Sequence, residues 1–128
     1  MCSSDLPYNP IAGGLLTGKH DRSGQPEEGT RFTLGTAGSM YRDRYWHEGQ
    51  FETVEEIRAI AKEAGLSMTT LAVAWVLANP AVTSPIIGAS RPEQLVDTIA
   101  AVDVRLERDI KEKLDAVTAE YRKGDAAR

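Results

Sequence analysis

Apolar residues recur at helical spacing through most of the second half of the chain. Residues 53–63 carry one apolar side, Thr53 and Glu56 have the spacing of a capping box, and Gly65 follows as an end signal. Residues 67–78 are apolar on most of their surface, which is typical of a buried helix. The pattern therefore predicts two consecutive helices.

Two short apolar runs predict strands. Residues 7–9 are interpreted as a strand end that leads into a glycine-rich loop, and residues 82–87 are interpreted as a second strand. A helix over 92–102 and a last helix over 106–121 follow. The expected core-facing positions of these helices are Leu95, Ile99, Val102, Ile110, Leu114, Val117 and Tyr121.

Residues 19–50 form a long excursion with one short helix expected near 39–48. A connection of this length inside a compact unit is more often a functional lid than idle coil. Its aromatic residues either seal the lid onto the body or contact a substrate, and spacing leaves both interpretations open. These residues are Tyr41, Tyr45, Trp46 and Phe51.

The order of predicted elements favours an α/β fold with parallel strands and helical crossovers. Two strands alone cannot form a stable parallel sheet, because both edges stay unpaired and one face stays uncovered. The buried helix over 67–78 also needs apolar neighbours that this chain scarcely supplies. The predicted architecture is therefore incomplete.

Composition narrows the function classes. The chain has 128 residues, 41% of them hydrophobic, and a net charge of −4, which fits one soluble domain or a piece of a larger one and argues against nucleic acid. No apolar run approaches the roughly 20 residues of a membrane span. One cysteine fits a reducing, cytoplasmic location, and the isolated His20 and His47 are expected to be surface residues and not metal ligands.

The first six residues match neither a signal peptide nor a good strand start. Cys2 to Leu6 equal the translation, in one frame, of the end of a widely used sequencing adapter. We therefore expect residues 1–6 to be a non-native leader and residues 7–128 to be the native segment, with natural sequence upstream of Pro7. Genomic sequence running through those codons would disprove this.

The stretch "SPIIGASRPEQL" has the features of a phosphate pocket. Gly88 permits close backbone approach, Ser90 can cap the next helix, and Pro92 sits in its first turn. Free N–H groups at a helix start favour an anion, and Arg91 adds a cation that forks onto phosphate oxygens. Local sequence alone favours a second interpretation, in which Ser90 and Glu93 form an ordinary capping box with Arg91 in solvent.

The stretch "GGLLTGKH" matches half of a P-loop, from Gly13 to Lys19. His20 stands where Ser or Thr should hold magnesium, and the turn-rich run after it cannot continue a helix, so the match is accidental. The glycines pass close to something bound or make a tight turn. Tyr8, after a strand end, either stacks on a flat ligand or lies at the core edge. Neither histidine has the partners of a catalytic triad.

Together, "YNPIAGGLLTGKH" and "AVAWVLANPAVTSPIIGASRPEQL" resemble the C-terminal part of aldo-keto reductases, in the bacterial branch akin to potassium-channel β subunits. The resemblance runs from Pro7 to about Tyr121. It implies the last quarter to third of a (β/α)8 TIM barrel, with the seventh strand closing at 7–9 and the eighth at 84–87. In such barrels, phosphate sites follow strands seven and eight.

The resemblance also implies a site for NADP(H). Tyr8 would stack on the nicotinamide, and the 2′-phosphate would lie with Gly88, Ser90 and Arg91. The loop over the nicotinamide and pyrophosphate would be lined by Asn9, Pro10, Ile11, Gly13 and Leu15. Gln94 and Asp97 would reach the adenine, and Thr98 stands where relatives often carry Asn.

The implied reaction is hydride transfer to an aldehyde or ketone, with a tyrosine acid tuned by lysine, aspartate and histidine. The resemblance places all four upstream, so no residue here is assigned a catalytic role and this chain alone is expected to be inactive. The parent would act on a small carbonyl substrate and would have no nucleic-acid or membrane partner, and homo-oligomers of it are possible. The alternatives are an NADPH-binding sensor subunit of channel-β type and a free-standing small helical domain.

Overall fold

A computed structural model describes residues 5–123, with only the backbone of residues 122 and 123. Its α-helices are α1 (Gly35–Tyr45), α2 (Glu48–Ala64), α3 (Met68–Leu77), α4 (Leu95–Ala100) and α5 (Arg108–Val117). Short 3-10 segments lie at Ala12–Thr17, Arg31–Thr33, Pro92–Gln94, Ala101–Asp103 and Ala119–Lys123. Helix α3 contacts α2, α4 and the Ala12–Thr17 segment, α5 packs on α2, and α1 packs on the Ala12–Thr17 and Arg31–Thr33 segments.

Helix α2 begins at Glu48, so the start predicted at Thr53 is wrong. Thr53 lies inside the helix, where its hydroxyl donates to the carbonyl of Gly49 at 3.0 Å. The pattern missed the first turn because its residues are polar apart from Phe51, which is buried at 5% exposure. The predicted end is confirmed: Gly65 has φ 67° and its N–H donates to the carbonyls of Ala61 and Lys62.

Helix α3 is the predicted buried helix, and Ser67 caps it by accepting the N–H of Thr70 at 3.1 Å. Leu71 is fully buried, while Trp75 is only half-buried and donates its Nε1–H to Asp115 at 2.8 Å. Among the described residues no single helix is long and apolar enough to cross a membrane. Helices α2 and α3 reach that length and apolarity only when counted together, and they are bent by 89°.

Helix α4 buries a different face from the predicted one. Ile99 and Val102 are 57% and 73% exposed, and the core-facing positions are Thr98 and Ala101. The small side chains of this face allow α4 to approach α3, where the Thr70 hydroxyl donates to the carbonyl of Asp97 at 2.8 Å. Leu95 is half-buried. No described residue covers the outer apolar stripe formed by Ile99 and Val102.

The predicted strands over 7–9 and 82–87 are wrong as regular strands: residues 5–123 contain none. One parallel bridge joins Tyr8 to Ile86, and the Ile86 N–H donates to the carbonyl of Pro7 at 2.7 Å. The pairing is therefore parallel, as predicted. A longer ladder is not formed because a parallel pair needs strands beside it and helices over both faces.

The end of the expected leader contacts the second of these segments. Asp5 accepts the N–H of Thr83 at 2.8 Å, and its carboxylate accepts the Thr83 hydroxyl at 2.8 Å. Residues 1–4 of the leader lie outside the described residues. The origin of residues 1–6 stays a prediction.

Helix α5 carries Ile110 and Leu114 into the core against α2, as predicted. It ends at Val117, earlier than the predicted 121. A 3-10 turn then brings the hydroxyl of Tyr121 to 3.0 Å from that of Thr53.

The excursion is folded onto the body. Its short helix is α1, four residues earlier than expected, and Phe32 just before it is fully buried. Trp46 lies edge-on to both Phe32 and Phe51, with ring centroids 4.9 Å apart in each pair. The Arg42 guanidinium donates to the Phe32 carbonyl at 2.5 Å. The aromatic residues therefore seal the lid, which was one of the two predicted roles.

Candidate functional site

The bridge between Tyr8 and Ile86 brings the two predicted binding segments to one edge of the molecule. Because the pairing is parallel, the glycine loop after Tyr8 and the Gly88 turn after Ile86 leave in the same direction. The Tyr8 ring is 73% exposed at this edge. An exposed tyrosine ring at this bridge is free to stack on a flat ligand.

The loop after Tyr8 is held in an unusual backbone conformation. Asn9 and Ala12 have φ values of 59° and 50°; Asn enters this left-handed region readily, whereas Ala is found there only when its surroundings hold it. The Asn9 amide oxygen accepts the Gly13 N–H at 2.7 Å, and its Nδ2–H donates to the Tyr45 hydroxyl at 3.4 Å. Asn9 therefore ties the loop to the lid. Pro10 and Ile11 are half-buried, and Gly13 and Leu15 are buried.

Gly13 is required for both its conformation and its lack of a side chain. Its φ is 69°, and a Cβ there would lie 2.7 Å from Cδ1 of Tyr41. We expect Gly13→Ala to destabilise the fold by about 1–3 kcal/mol in urea unfolding. Gly29→Ala is the matched control, because Gly29 has φ 81° and no described residue beyond its chain neighbours lies within 4 Å of its Cβ position, and it should cost roughly 1 kcal/mol. Equal losses would contradict close packing of Tyr41 on the loop.

The second segment differs from the predicted capping box. The N–H and hydroxyl of Ser90 both donate to Oε1 of Gln94, at 2.9 and 3.2 Å, so Ser90 does not pair with Glu93. Arg91 directly precedes the Pro92–Gln94 turn, which begins with Pro92. The side chain of Arg91 is exposed. Gly88, Ser90, Arg91, Gln94 and Asp97 all lie at the exposed edge.

Thr98 is the exception among the predicted residues of this segment. It is buried, and its hydroxyl donates to the Gln94 carbonyl at 3.1 Å. The structure therefore directs Thr98 into the contact with α3, away from the other predicted residues of this segment.

Sequence reasoning missed Arg31, a second cation at this edge. Its Nη2 lies 3.7 Å from the position that a Cβ would take on Gly88, although the two residues are far apart in sequence. Tyr41 holds the guanidinium by accepting its Nη1–H at 3.1 Å, with the ring centroid 5.8 Å away. No spacing signal marks Arg31, because the folded lid alone brings it there.

His20 is buried at 7% exposure, so its predicted surface position is wrong. Its ring lies edge-on to Phe32 at 5.0 Å and to Trp46 at 5.3 Å, and its Nε2 has no hydrogen-bond partner among the described residues. Burial lowers the pKa of His20, as does nearby Lys19, against a smaller opposite effect of Glu27. These apolar surroundings favour the neutral imidazole over the charged imidazolium.

This environment predicts a pH-dependent stability. Because the pKa of His20 is lower in the fold than in the unfolded chain, the unfolded chain takes up the proton first as the pH falls. The contribution of His20 to the stability of the fold is therefore complete above about pH 6.5, and it declines as the pH falls below that value. His20→Phe should flatten the fall of Tm between pH 7 and pH 5.5. An unchanged slope in thermal melts would show that His20 does not titrate in a buried position.

The described residues contain no group of three or more His, Cys, Asp or Glu that could hold a metal ion. Burial raises the pKa of Tyr121, and its hydroxyl pairs with Thr53.

The edge where Tyr8 pairs with Ile86 offers cations, an exposed ring and glycine turns. This arrangement is suited to binding an anionic, flat ligand.

The described fold is similar to part of a solved structure. The glycerol dehydrogenase AKR11B4 of Gluconobacter oxydans superposes with a TM-score of 0.68 at 24% identity, covering 93% of this chain and 35% of that one. A sequence profile of the Aldo/keto reductase family matches residues 6–119. The chain belongs to the aldo/keto reductase family.

The relatives agree with this assignment. The Bacillus subtilis oxidoreductase YrpG is 39% identical over 112 residues, which are 88% of this chain and 31% of that protein. A Schizosaccharomyces pombe protein named as a candidate voltage-gated potassium channel subunit beta is 38% identical over 86% of this chain and 32% of its own length. The rat aflatoxin B1 aldehyde reductase member 2 is 36% identical over 75% and 29%. The chain thus spans about a third of the length of these relatives.

Proposed function

We propose that this chain is the C-terminal segment of a (β/α)8 barrel in an NADP(H)-dependent aldo-keto reductase that reduces aldehydes or ketones. The observation that carries the proposal is the parallel contact of Tyr8 with Ile86, which brings the Asn9–Leu15 loop and the Gly88–Arg91 turn to one edge. In barrels of this kind, loops at the carboxyl ends of strands seven and eight bind phosphate groups. The family match is the second support.

The edge fits a dinucleotide in shape and charge. The surface over Gly88 is open, since among the described residues beyond its chain neighbours only Arg31 lies within 4 Å of a Cβ placed there. Arg31 and Arg91 would hold the pyrophosphate and 2′-phosphate, and the exposed Tyr8 ring would stack on the nicotinamide. When bound, the cofactor supplies the hydride; the residues of this chain bind and orient it.

The outer face of α4 is where we expect upstream chain to complete the barrel. Val96, Ile99 and Val102 are 68%, 57% and 73% exposed at helical spacing, and Ile86 is 55% exposed beside the bridge. Exposed apolar patches of this kind mark surfaces that pack against another element. We place the catalytic tyrosine, lysine, aspartate and histidine on that upstream chain, with the parent cytoplasmic and able to form homo-oligomers.

The test is to express the reading frame extended upstream and to follow NADPH oxidation with a small aldehyde. We expect turnover by the extended protein and none by the 128-residue chain. An extended protein with no NADPH affinity would contradict the proposal.

The alternative is a sensor subunit of channel-β type, favoured by the names of several relatives. It would bind NADPH tightly without turnover. A broken upstream tetrad together with retained cofactor affinity would decide for the sensor. A free-standing helical domain is disfavoured by the family match.

A further inference from the structure

A cavity of about 540 Å³ opens into the helical layer. It lies among the Ala12–Thr17 segment, α2, α3 and α5, and Tyr8, Gly88, Ser90 and Arg91 are not among its walls. Its volume falls within the range of pockets for small organic molecules. Pro10 and Leu15 of the proposed nicotinamide loop line the cavity, so the cavity adjoins the proposed cofactor site at that loop.

The floor of the cavity is apolar. Leu15, Leu71 and Leu114 line it, each less than 5% exposed, together with Val54 and the half-buried Trp75. The charged side chains and the histidine that line the cavity are all exposed, at its mouth: Asp43, Arg44, His47 and Glu120. A ligand that entered would leave water without meeting a buried charge, so an uncharged body fits.

Hydroxyl groups form the polar part of the wall. Tyr121 and Thr53 lie 3.0 Å apart as one hydrogen-bonded pair, and Tyr45 adds a second phenol. All three are half-buried. A few placed hydroxyls beside an apolar floor are the usual way in which a pocket orients a mainly apolar ligand.

We infer that this cavity binds an uncharged, largely apolar small molecule that carries one hydrogen-bonding group, at a site that adjoins the Asn9–Leu15 loop and does not include the Gly88–Arg91 turn. The Tyr45 hydroxyl accepts from Asn9, and Pro10 and Ala12 are walls of the cavity. An occupant therefore contacts the loop proposed to cover the nicotinamide. Binding there biases the conformation of that loop.

The test uses the 128-residue chain and N-phenyl-1-naphthylamine, an uncharged dye that fluoresces in apolar surroundings. We expect saturable binding of one dye per chain. Ala72→Leu, which projects added carbon atoms from the 8% exposed Ala72 into the cavity, should weaken it about tenfold or more. Ala59→Leu, the same change on the exposed side of α2, should leave binding unchanged.

Two further variants and an NMR measurement test the same site. Val102→Lys places a charge in the outer apolar stripe and should not change the affinity for the dye. Loss of binding in that variant would overturn the inference. An affinity of Ala72→Leu equal to that of the wild type would also overturn it. Should Ala72→Leu fail to fold, Thr118→Leu at the half-buried wall replaces it with the same expectation. In amide NMR spectra the dye should shift Gly13 and leave Arg91 unmoved, and shifts confined to Val96–Val102 would contradict the site.

Discussion

Arg91→Ala in the upstream-extended protein is expected to weaken NADPH binding by about 10- to 100-fold and NADH binding by much less. Arg91 is exposed beside Gly88 and Ser90, and its side chain makes no hydrogen bond or ion pair with the described residues, so its guanidinium is available to a phosphate. A charge-assisted hydrogen bond contributes roughly 1.5–3 kcal/mol, and each 1.4 kcal/mol is a factor of ten. Only NADPH carries the 2′-phosphate, so the loss should be selective.

The measurement is a pair of calorimetric titrations, one with each cofactor. Arg105→Ala is the control, since Arg105 is exposed on the connection before α5 and away from the edge. It should leave both affinities unchanged. Equal losses of NADPH and NADH affinity in Arg91→Ala would refute the assignment of Arg91 to the 2′-phosphate. The proposed role of Arg31 at the pyrophosphate would then be tested separately with Arg31→Ala.

Phe32→Ala is expected to have the largest effect on stability. Phe32 is 0% exposed, and its ring lies edge-on to His20, Tyr41 and Trp46 at 5.0, 6.2 and 4.9 Å. Truncating a buried phenylalanine costs about 3–5 kcal/mol, because both burial and ring contacts are lost and a cavity remains. The expected fall in Tm is roughly 10 °C or more.

Leu34→Ala provides the control for this change. Leu34 lies two residues further along the lid and is 56% exposed, so its truncation should cost less than about 0.5 kcal/mol. If Phe32→Ala does not fold as a whole, limited proteolysis at 4 °C should still show cleavage first within residues 21–30. A lid that resists protease as well as the wild type would contradict its anchoring by Phe32.

The helices could be predicted from sequence where one periodic face meets a clear end signal. Helix α3 has both an apolar run and the Ser67 cap, and Gly65 marks the end of α2. The start of α2 could not be found, because residues 48–52 give no apolar period. The buried face of α4 was predicted wrongly for a different reason. The pattern predicts that the large apolar residues face the core, whereas Thr98 and Ala101 pack on α3.

The candidate site was predictable where local sequence determines its geometry. The glycine loop after Tyr8 and the turn after Ile86 were recognised from their own residues, and the parallel bridge brings them together. Arg31 and His20 could not be placed, since both positions depend on how the lid folds over Phe32 and Trp46. Contacts between residues distant in sequence leave no periodic signal.

The central claim is tested most directly with 2′,5′-ADP, the half of NADPH that carries the 2′-phosphate, added to the isotope-labelled 128-residue chain. The account predicts saturable amide shifts at Gly88, Ser90 and Arg91, with 5′-AMP producing much weaker ones at the same concentration. No saturable shifts at these residues, or equal shifts with both nucleotides, would contradict it.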